Sequence, residues 1–202
     1  MKKHLLLIGF SCTGKTSLGS KVFKDSNIID SDKEIRNWIK KSTDKQYEHI
    51  YNIYMDNGRD HAIGLIEQAE EELITRWAID QEFKIISLGP GFPFRKGWPS
   101  LRKISNVILF RRPPEGIYKS LIERREGIFK ECPEAKQHDN WDIGVIVNKH
   151  RVEYERREAI SNITAILDER ERYYKDNDAE INTDNWERAK ARLQEIWKQF
   201  SL

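Results

Sequence analysis

The chain has 202 residues, enough for one domain with a substantial core, and a second domain is not expected. Lys and Arg number 35 against 33 Asp and Glu, with both signs interspersed, so the net +2 makes no case for nucleic acid or a membrane surface as partner. The apolar run from His4 to Ile8 is too short to span a bilayer, and Cys12 and Cys132 read as free thiols, so we expect a cytoplasmic protein, monomeric or a weak homodimer.

Leu5 to Ile8 predicts a buried strand, and Gly9-Phe10-Ser11-Cys12-Thr13-Gly14-Lys15-Thr16 follows it directly, matching the phosphate-binding pattern G-x-x-x-x-G-K-[ST] between strand and helix. Backbone N–H groups of such a loop converge on phosphate oxygens, and the N-terminus of the next helix adds a positive dipole. We therefore expect Gly9, Ser11, Cys12, Thr13, Gly14, Lys15, Thr16 and Ser17 to cradle ATP, with Lys15 reaching the β- and γ-phosphates and the Thr16 hydroxyl ligating Mg²⁺. Cys12 reads as a small loop-filling residue; a redox-sensitive thiolate at the helix N-terminus is the other reading.

The helix from Lys15 should run to about Phe23, and Ile28-Ile29 then predicts a short buried strand ending in Asp30-Ser31-Asp32. Ligands of open parallel sheets bind outside the carboxyl ends of the strands, so both acids are placed toward chemistry; either alone could instead cap the helix that follows. From Lys33 to Asp80 apolar residues recur at helical spacing (Ile35, Trp38 and Ile39, then Ile63, Ile66, Ala69, Leu73, Ile74 and Trp77), broken at Asp56-Asn57-Gly58, which predicts two or more helices. Lys84 to Leu88 reads as a third strand running into the rigid loop Gly89-Pro90-Gly91-Phe92-Pro93-Phe94-Arg95. Asn106 to Phe110 is a fourth strand, Glu115 to Arg125 a helix, Ala179 to Thr183 a fifth strand, and Trp186 to Phe200 a closing helix. Between Gly127 and Asp168 the pattern changes to a Pro- and Asn-containing stretch and a long charged helix from about Ile143 to Tyr174, an enlarged lid with an amphipathic face that includes Val147, His150, Tyr154 and Ile163. Cys132 and His138 lack the spacing of a zinc site. Apolar strands alternating with helices mean α/β architecture: three layers, α/β/α, with a five-stranded parallel sheet and a helical lid inserted at about 124–168.

The order of these motifs resembles shikimate kinase, within the nucleoside-monophosphate-kinase-like P-loop proteins, over most of the chain apart from the insertion. Besides the phosphate loop, Asp30-Ser31-Asp32 looks like that family's D-[ST]-D motif, Ser87 to Gly91 like its third-strand glycine triplet, Arg124-Arg125 falls where its lid arginine lies, and Arg170 to Tyr174 is similar to its late R-x-P-L-Y segment. The resemblance implies that Asp30 helps hold hydrated Mg²⁺ together with Thr16, that Asp32 contacts the acceptor hydroxyl and takes its proton, that Arg124 or Arg125 meets the phosphates, and that Arg170 meets an acceptor carboxylate. Gly89, Pro90 and Gly91 then contact the acceptor. In Gly58-Arg59-Asp60-His61-Ala62-Ile63, Ile63 stands where the family has a carboxylate-gripping arginine, and Arg59, one helical turn earlier, is the candidate to replace it. Pro90 removes a backbone N–H from the glycine triplet. The expected activity is ATP- and Mg²⁺-dependent phosphorylation of a hydroxyl on a small acceptor, shikimate first. A nucleoside, nucleotide, sugar acid or hydroxylated antibiotic as acceptor, or a nucleotide-binding regulator without an acceptor, are the alternatives. Phe92, Phe94 and Trp98 offer rings for stacking or for packing under the loop.

Overall fold

The computed structural model describes residues 2–24, 27–131 and 152–200. Its strands are β1 (His4–Gly9), β2 (Ile28–Asp30), β3 (Lys84–Ser87), β4 (Ser105–Arg111) and β5 (Ala179–Asn182), paired in one all-parallel sheet of order β2-β3-β1-β4-β5. β1 is central and wholly buried, with Leu5 opposite Ile85 on one side and Asn106 on the other. This explains why its sequence is a continuous apolar run instead of an alternating one: both of its faces are covered.

The alternation of side chains along a strand sorts these residues into two cores. Leu6, Ile8, Ile86, Val107 and Leu109 face helices α2 (Ser31–Thr43), α3 (Ile50–Asn57), α4 (Arg59–Ile79) and α5 (Trp98–Lys103), burying Ile35, Ile39, Ile53, Leu73, Trp77 and Leu101. Leu5, Leu7, Ile85, Ile108, Phe110 and Ile181 face the opposite layer, where α1 (Lys15–Val22) contributes Leu18, and the closing helix from Trp186 to Phe200 contributes Ala189, Leu193 and Ile196. The three-layer α/β/α fold and its five parallel strands are therefore as the sequence predicts. Three helices, not merely two, join β2 to β3.

α6 (Pro114–Glu131) extends beyond the expected Arg125, and α7 (Val152–Tyr174) precedes β5; the closing helix is α8 (Trp186–Phe200). α6 and α7 pack on one another through Ile117, Leu121, Ala159 and Ile163, with Phe10 of the phosphate loop in the same cluster. The packed pair of helices thus rests on the loop after β1. Cys132, His138, Val147 and His150, and the expected helix start near Ile143, lie outside the described residues, as do the side chains of Tyr154 and Arg125. Among the described residues no helix is long and apolar enough to cross a membrane.

Candidate active site

Three strands deliver their carboxyl ends to one place. β1 leads into the phosphate loop, where Gly9 (φ 139°) and Gly14 (φ 85°) take conformations open to glycine, and Gly14 is the N-cap of α1. A Cβ at Gly9 would lie 2.4 Å from the Phe110 carbonyl oxygen, so β4 backs the loop directly. Thr13 is buried and donates its hydroxyl to the Phe10 carbonyl at 2.8 Å. Lys15 is also buried, its ammonium donating to the carbonyls of Gly9 (2.9 Å) and Phe10 (2.8 Å). Burial, resisted chiefly by the charge of Asp32, lowers its pKa to about 8. Ser11 lies half-buried in the loop, and Ser17 is exposed on the first turn of α1.

The short β2 ends in Asp30, which has two uses. One oxygen accepts the Asp32 backbone N–H at 2.9 Å, capping α2, and the other accepts the Thr16 hydroxyl at 3.3 Å. The capping and metal-binding readings of this residue are thus compatible, because they occupy different oxygens. Thr16 is also 2.7 Å from the Ser87 hydroxyl at the end of β3. A hydroxyl from the start of α1, a carboxylate from the end of β2 and a hydroxyl from the end of β3 form an oxygen-rich corner beside Lys15. Among the described residues no three His, Cys, Asp or Glu side chains form a metal cluster. Mg²⁺ bound through phosphates and retained waters needs only one or two protein oxygens, which Thr16 and Asp30 match.

Asp32 stands on the first turn of α2. Burial first, and the adjacent Asp30 charge second, push its carboxyl above the usual carboxylate range, while Arg124, Lys15 and Arg36 pull the other way. Arg124, from α6, also lies against the Cys12 thiol. The structure therefore gathers Lys15, Asp32 and Arg124 around the loop. Burial raises the Cys12 thiol above its usual pKa despite these cations, which keeps it protonated and favours its reading as loop filler.

β3 runs into Gly89, whose N–H donates to the Ser31 hydroxyl at 2.8 Å; a Cβ there would sit 3.5 Å from Asp32 Oδ1. Of the Gly89-Pro90-Gly91 turn, Gly89 is the residue set against Asp32. A Cβ on Gly91 would lie 2.6 Å from Glu70 Oε1, so the loop rests directly on a carboxylate of α4. That helix holds the loop with three acids: Glu70 and Glu67 pair with Arg95 at 2.6 and 2.7 Å, and Glu71 accepts the N–H groups of Lys96 (2.7 Å) and Gly97 (3.1 Å). Burial pushes the Glu70 carboxyl up to about 7, against the pull of Arg95. Phe92 and Trp98 are buried in the core, and Phe94 is half-buried against Tyr173 with ring centroids 4.4 Å apart. Arg170 lies over both Phe10 (5.1 Å) and Phe94 (5.4 Å), bridging the phosphate loop and the loop after β3.

Arg59 is exposed at the first position of α4, eleven residues before Glu70 and so about 16 Å from it along the helix axis; it is not brought beside the acceptor loop. Four residues to which the sequence reading assigned no site role lie here: Glu70, Arg95, Arg112 and Trp186. Arg112 donates to the Cys12 carbonyl at 3.2 Å, and the Trp186 ring would touch a Cβ on Gly14 at 3.0 Å. Arg95, at the end of the Gly89 loop, and Trp186, at a helix start, stood at local signals in the sequence; Glu70 did not.

The sheet order, the phosphate loop and the acid-bearing second strand define a P-loop kinase fold of the shikimate kinase type. Among solved structures, the fold is similar to shikimate kinase from Bacteroides thetaiotaomicron (TM-score 0.65, 18% identity, 98% of this chain and 99% of that one) and to shikimate kinase from Acinetobacter baumannii in complex with shikimate (0.61, 16%, 99% and 93%). It is also similar to dephospho-CoA kinase from Campylobacter jejuni (0.54, 13%, 100% and 98%). No protein-family model and no curated protein matches the sequence.

Proposed function

We propose that the protein transfers the γ-phosphoryl group of ATP to a hydroxyl of a small polar or anionic acceptor. The observation that carries this reading is the convergence of Lys15, Thr16, Asp30 and Asp32 with the Gly89 to Gly91 loop at the carboxyl ends of β1, β2 and β3. The cradle N–H groups and Lys15 bind and neutralise the β- and γ-phosphates, and Arg124 adds charge on the open side. Mg²⁺, held by Thr16 with Asp30 in support, supplies further charge neutralisation when bound. Asp32 orients the acceptor hydroxyl and takes its proton as the oxygen–phosphorus bond forms; the bond to the bridging oxygen breaks and ADP leaves with that electron pair. Its burial makes it a stronger base than an exposed aspartate.

Shikimate is the first acceptor to try, because two of the similar folds are shikimate kinases. Ile63 offers no anion grip, so a carboxylate would meet Arg170 or Arg95. An ADP-release assay with shikimate, dephospho-CoA, nucleosides and sugar acids tests the reading. At least one acceptor should raise ADP release above background, Lys15→Ala should abolish nucleotide binding and transfer, and Asp32→Asn should keep nucleotide binding and lose transfer. A wild type that binds MgATP but answers to none of a broad acceptor panel would favour a nucleotide-binding regulator, and transfer by Lys15→Ala at the wild-type rate would refute the mechanism.

A further inference from the structure

Among the described residues only Cys12 (φ 63°) and Asp44 (φ 59°) are non-glycine residues in the left-handed region. Asp44 terminates α2, a common place for it, but Cys12 lies in the middle of the phosphate loop and has neither glycine's freedom nor the local hydrogen bonding of Asn or Asp. Something must hold it there. The loop carbonyls with side-chain donors divide in an informative way. Gly9 and Phe10 are served by Lys15 and Thr13, both within the loop's own motif. The Cys12 carbonyl is served by Arg112, one hundred residues away at the end of β4.

Arg112 is built in for this contact. The same nitrogen, Nη1, donates to the Ser120 hydroxyl at 2.7 Å, fixing the guanidinium against α6. A Cβ at Gly116 would lie 2.7 Å from Arg112 Nε, so the helix start is cut away to admit the side chain. Nε itself is buried without a hydrogen-bond partner, and Arg112 forms no ion pair among the described residues. A guanidinium that is partly desolvated, uncompensated by a carboxylate and hydrogen-bonded to the back of an anion-binding loop has no evident task in packing alone.

Resting on the phosphate-loop reading, we propose that Arg112 is a positioning residue for nucleotide binding: by holding the Cys12 carbonyl outward it keeps Cys12 left-handed and the neighbouring N–H groups turned into the cradle. When Lys15 leaves its carbonyls for phosphate, Arg112 and Thr13 remain as the side chains that fix the loop from behind. Arg112 is not assigned a contact with the nucleotide.

The test is a double-mutant cycle of Cys12→Gly and Arg112→Met, with Arg112→Lys as a variant that keeps charge without the guanidinium fork. Binding of magnesium with a non-hydrolysable ATP analogue is measured by calorimetry, and the urea midpoint is measured for each protein. Arg112→Met should weaken nucleotide binding about tenfold, the cost of a left-handed non-glycine residue expressed as an equilibrium. Arg112→Lys should lose a similar factor. In the Cys12→Gly background, where glycine needs no such support, Arg112→Met should cost less than about threefold. An Arg112→Met protein that binds as wild type overturns the proposal, and so does a loss equally large in both backgrounds, which would mean direct contact with the nucleotide or a field effect. Should Arg112→Met fail to fold, the cycle is run with Arg112→Lys and the same criteria apply. A wild type that does not bind the nucleotide fails the phosphate-loop reading itself, and this proposal with it.

Discussion

Glu70 is the side chain whose chemistry can be tested without knowing the acceptor. It is 4% exposed beneath Gly91, and burial sets its carboxyl at about 7 in the folded chain against an ordinary value of 4.5. Between those two values the native state keeps a proton that the unfolded chain has released, so stability must fall as pH rises through this window. An upward shift of that size is worth on the order of 3 kcal/mol, of which about 2.5 kcal/mol is lost between pH 5 and pH 8. Glu70→Gln removes the titration and keeps the shape. Other acids titrate alike in both proteins and cancel in the difference. Urea unfolding of wild type and Glu70→Gln at pH 5, 6.5 and 8 should show the variant gaining on wild type by about 2.5 kcal/mol over that span, with unchanged m values. A stability gap that stays constant with pH to within about 0.5 kcal/mol would show that burial does not dominate this carboxyl and that the Arg95 pair holds it ionised.

Lys15, at about 8 with only carbonyl partners, should be pulled fully into its charged form by phosphate. Nucleotide binding at pH 8 to 8.5 is then expected to take up roughly half a proton or more, read as a dependence of calorimetric enthalpy on buffer ionisation, and affinity should fall as pH rises above 8. Gly9→Ala places a methyl 2.4 Å from the Phe110 carbonyl at φ 139°, and should cost at least about 2 kcal/mol in urea unfolding together with nucleotide binding. Arg111 makes two bonds to Glu171 and two to Glu180 at 2.8 to 3.0 Å, tying β4 to α7 and β5, but it is 39% exposed. Solvent screening limits Arg111→Ala to about 1 kcal/mol, and the loss should shrink at high salt.

The sheet was legible because its central strands carry short apolar runs between helical stretches; Leu5 to Ile8 and Val107 to Phe110 needed no tertiary information. The phosphate loop was legible for a related reason: its pattern is carried by consecutive residues. The contacts around that loop and the Gly89 turn are assembled differently. Glu70 and Arg95 are 25 residues apart and meet because a helix crosses back under the loop, while Arg112 and Cys12 are 100 apart and meet because β4 lies beside β1. Neither pair has a spacing that a single sequence can reveal. Arg59 shows the converse. Its four-residue offset from Ile63 was correct helical geometry, but the part of α4 that reaches the acceptor loop begins two turns later.

That placement bears on which acceptor the site will take. Arg95 is spent on two carboxylates, and Arg170 is held over the rings of Phe10 and Phe94. An acceptor anion that uses Arg95 must therefore share it with Glu70, and the competition depends on whether Glu70 carries charge. Below about 7 Glu70 is protonated and the guanidinium is freer; above it, the ionised pair opposes a second anion. For an anionic acceptor we predict a KM that rises as pH increases from 6 to 8, by up to about tenfold if the whole coupling is felt. A neutral polyol of similar size should show no such rise, and in Glu70→Gln the anion's KM should become flat over the same range. Measuring both acceptor classes at saturating MgATP separates this effect from the Lys15 titration, which acts on the nucleotide. If the anion's KM is equally flat in wild type and Glu70→Gln, Arg95 serves only to dock its loop on α4, and the anion is met by Arg170 alone.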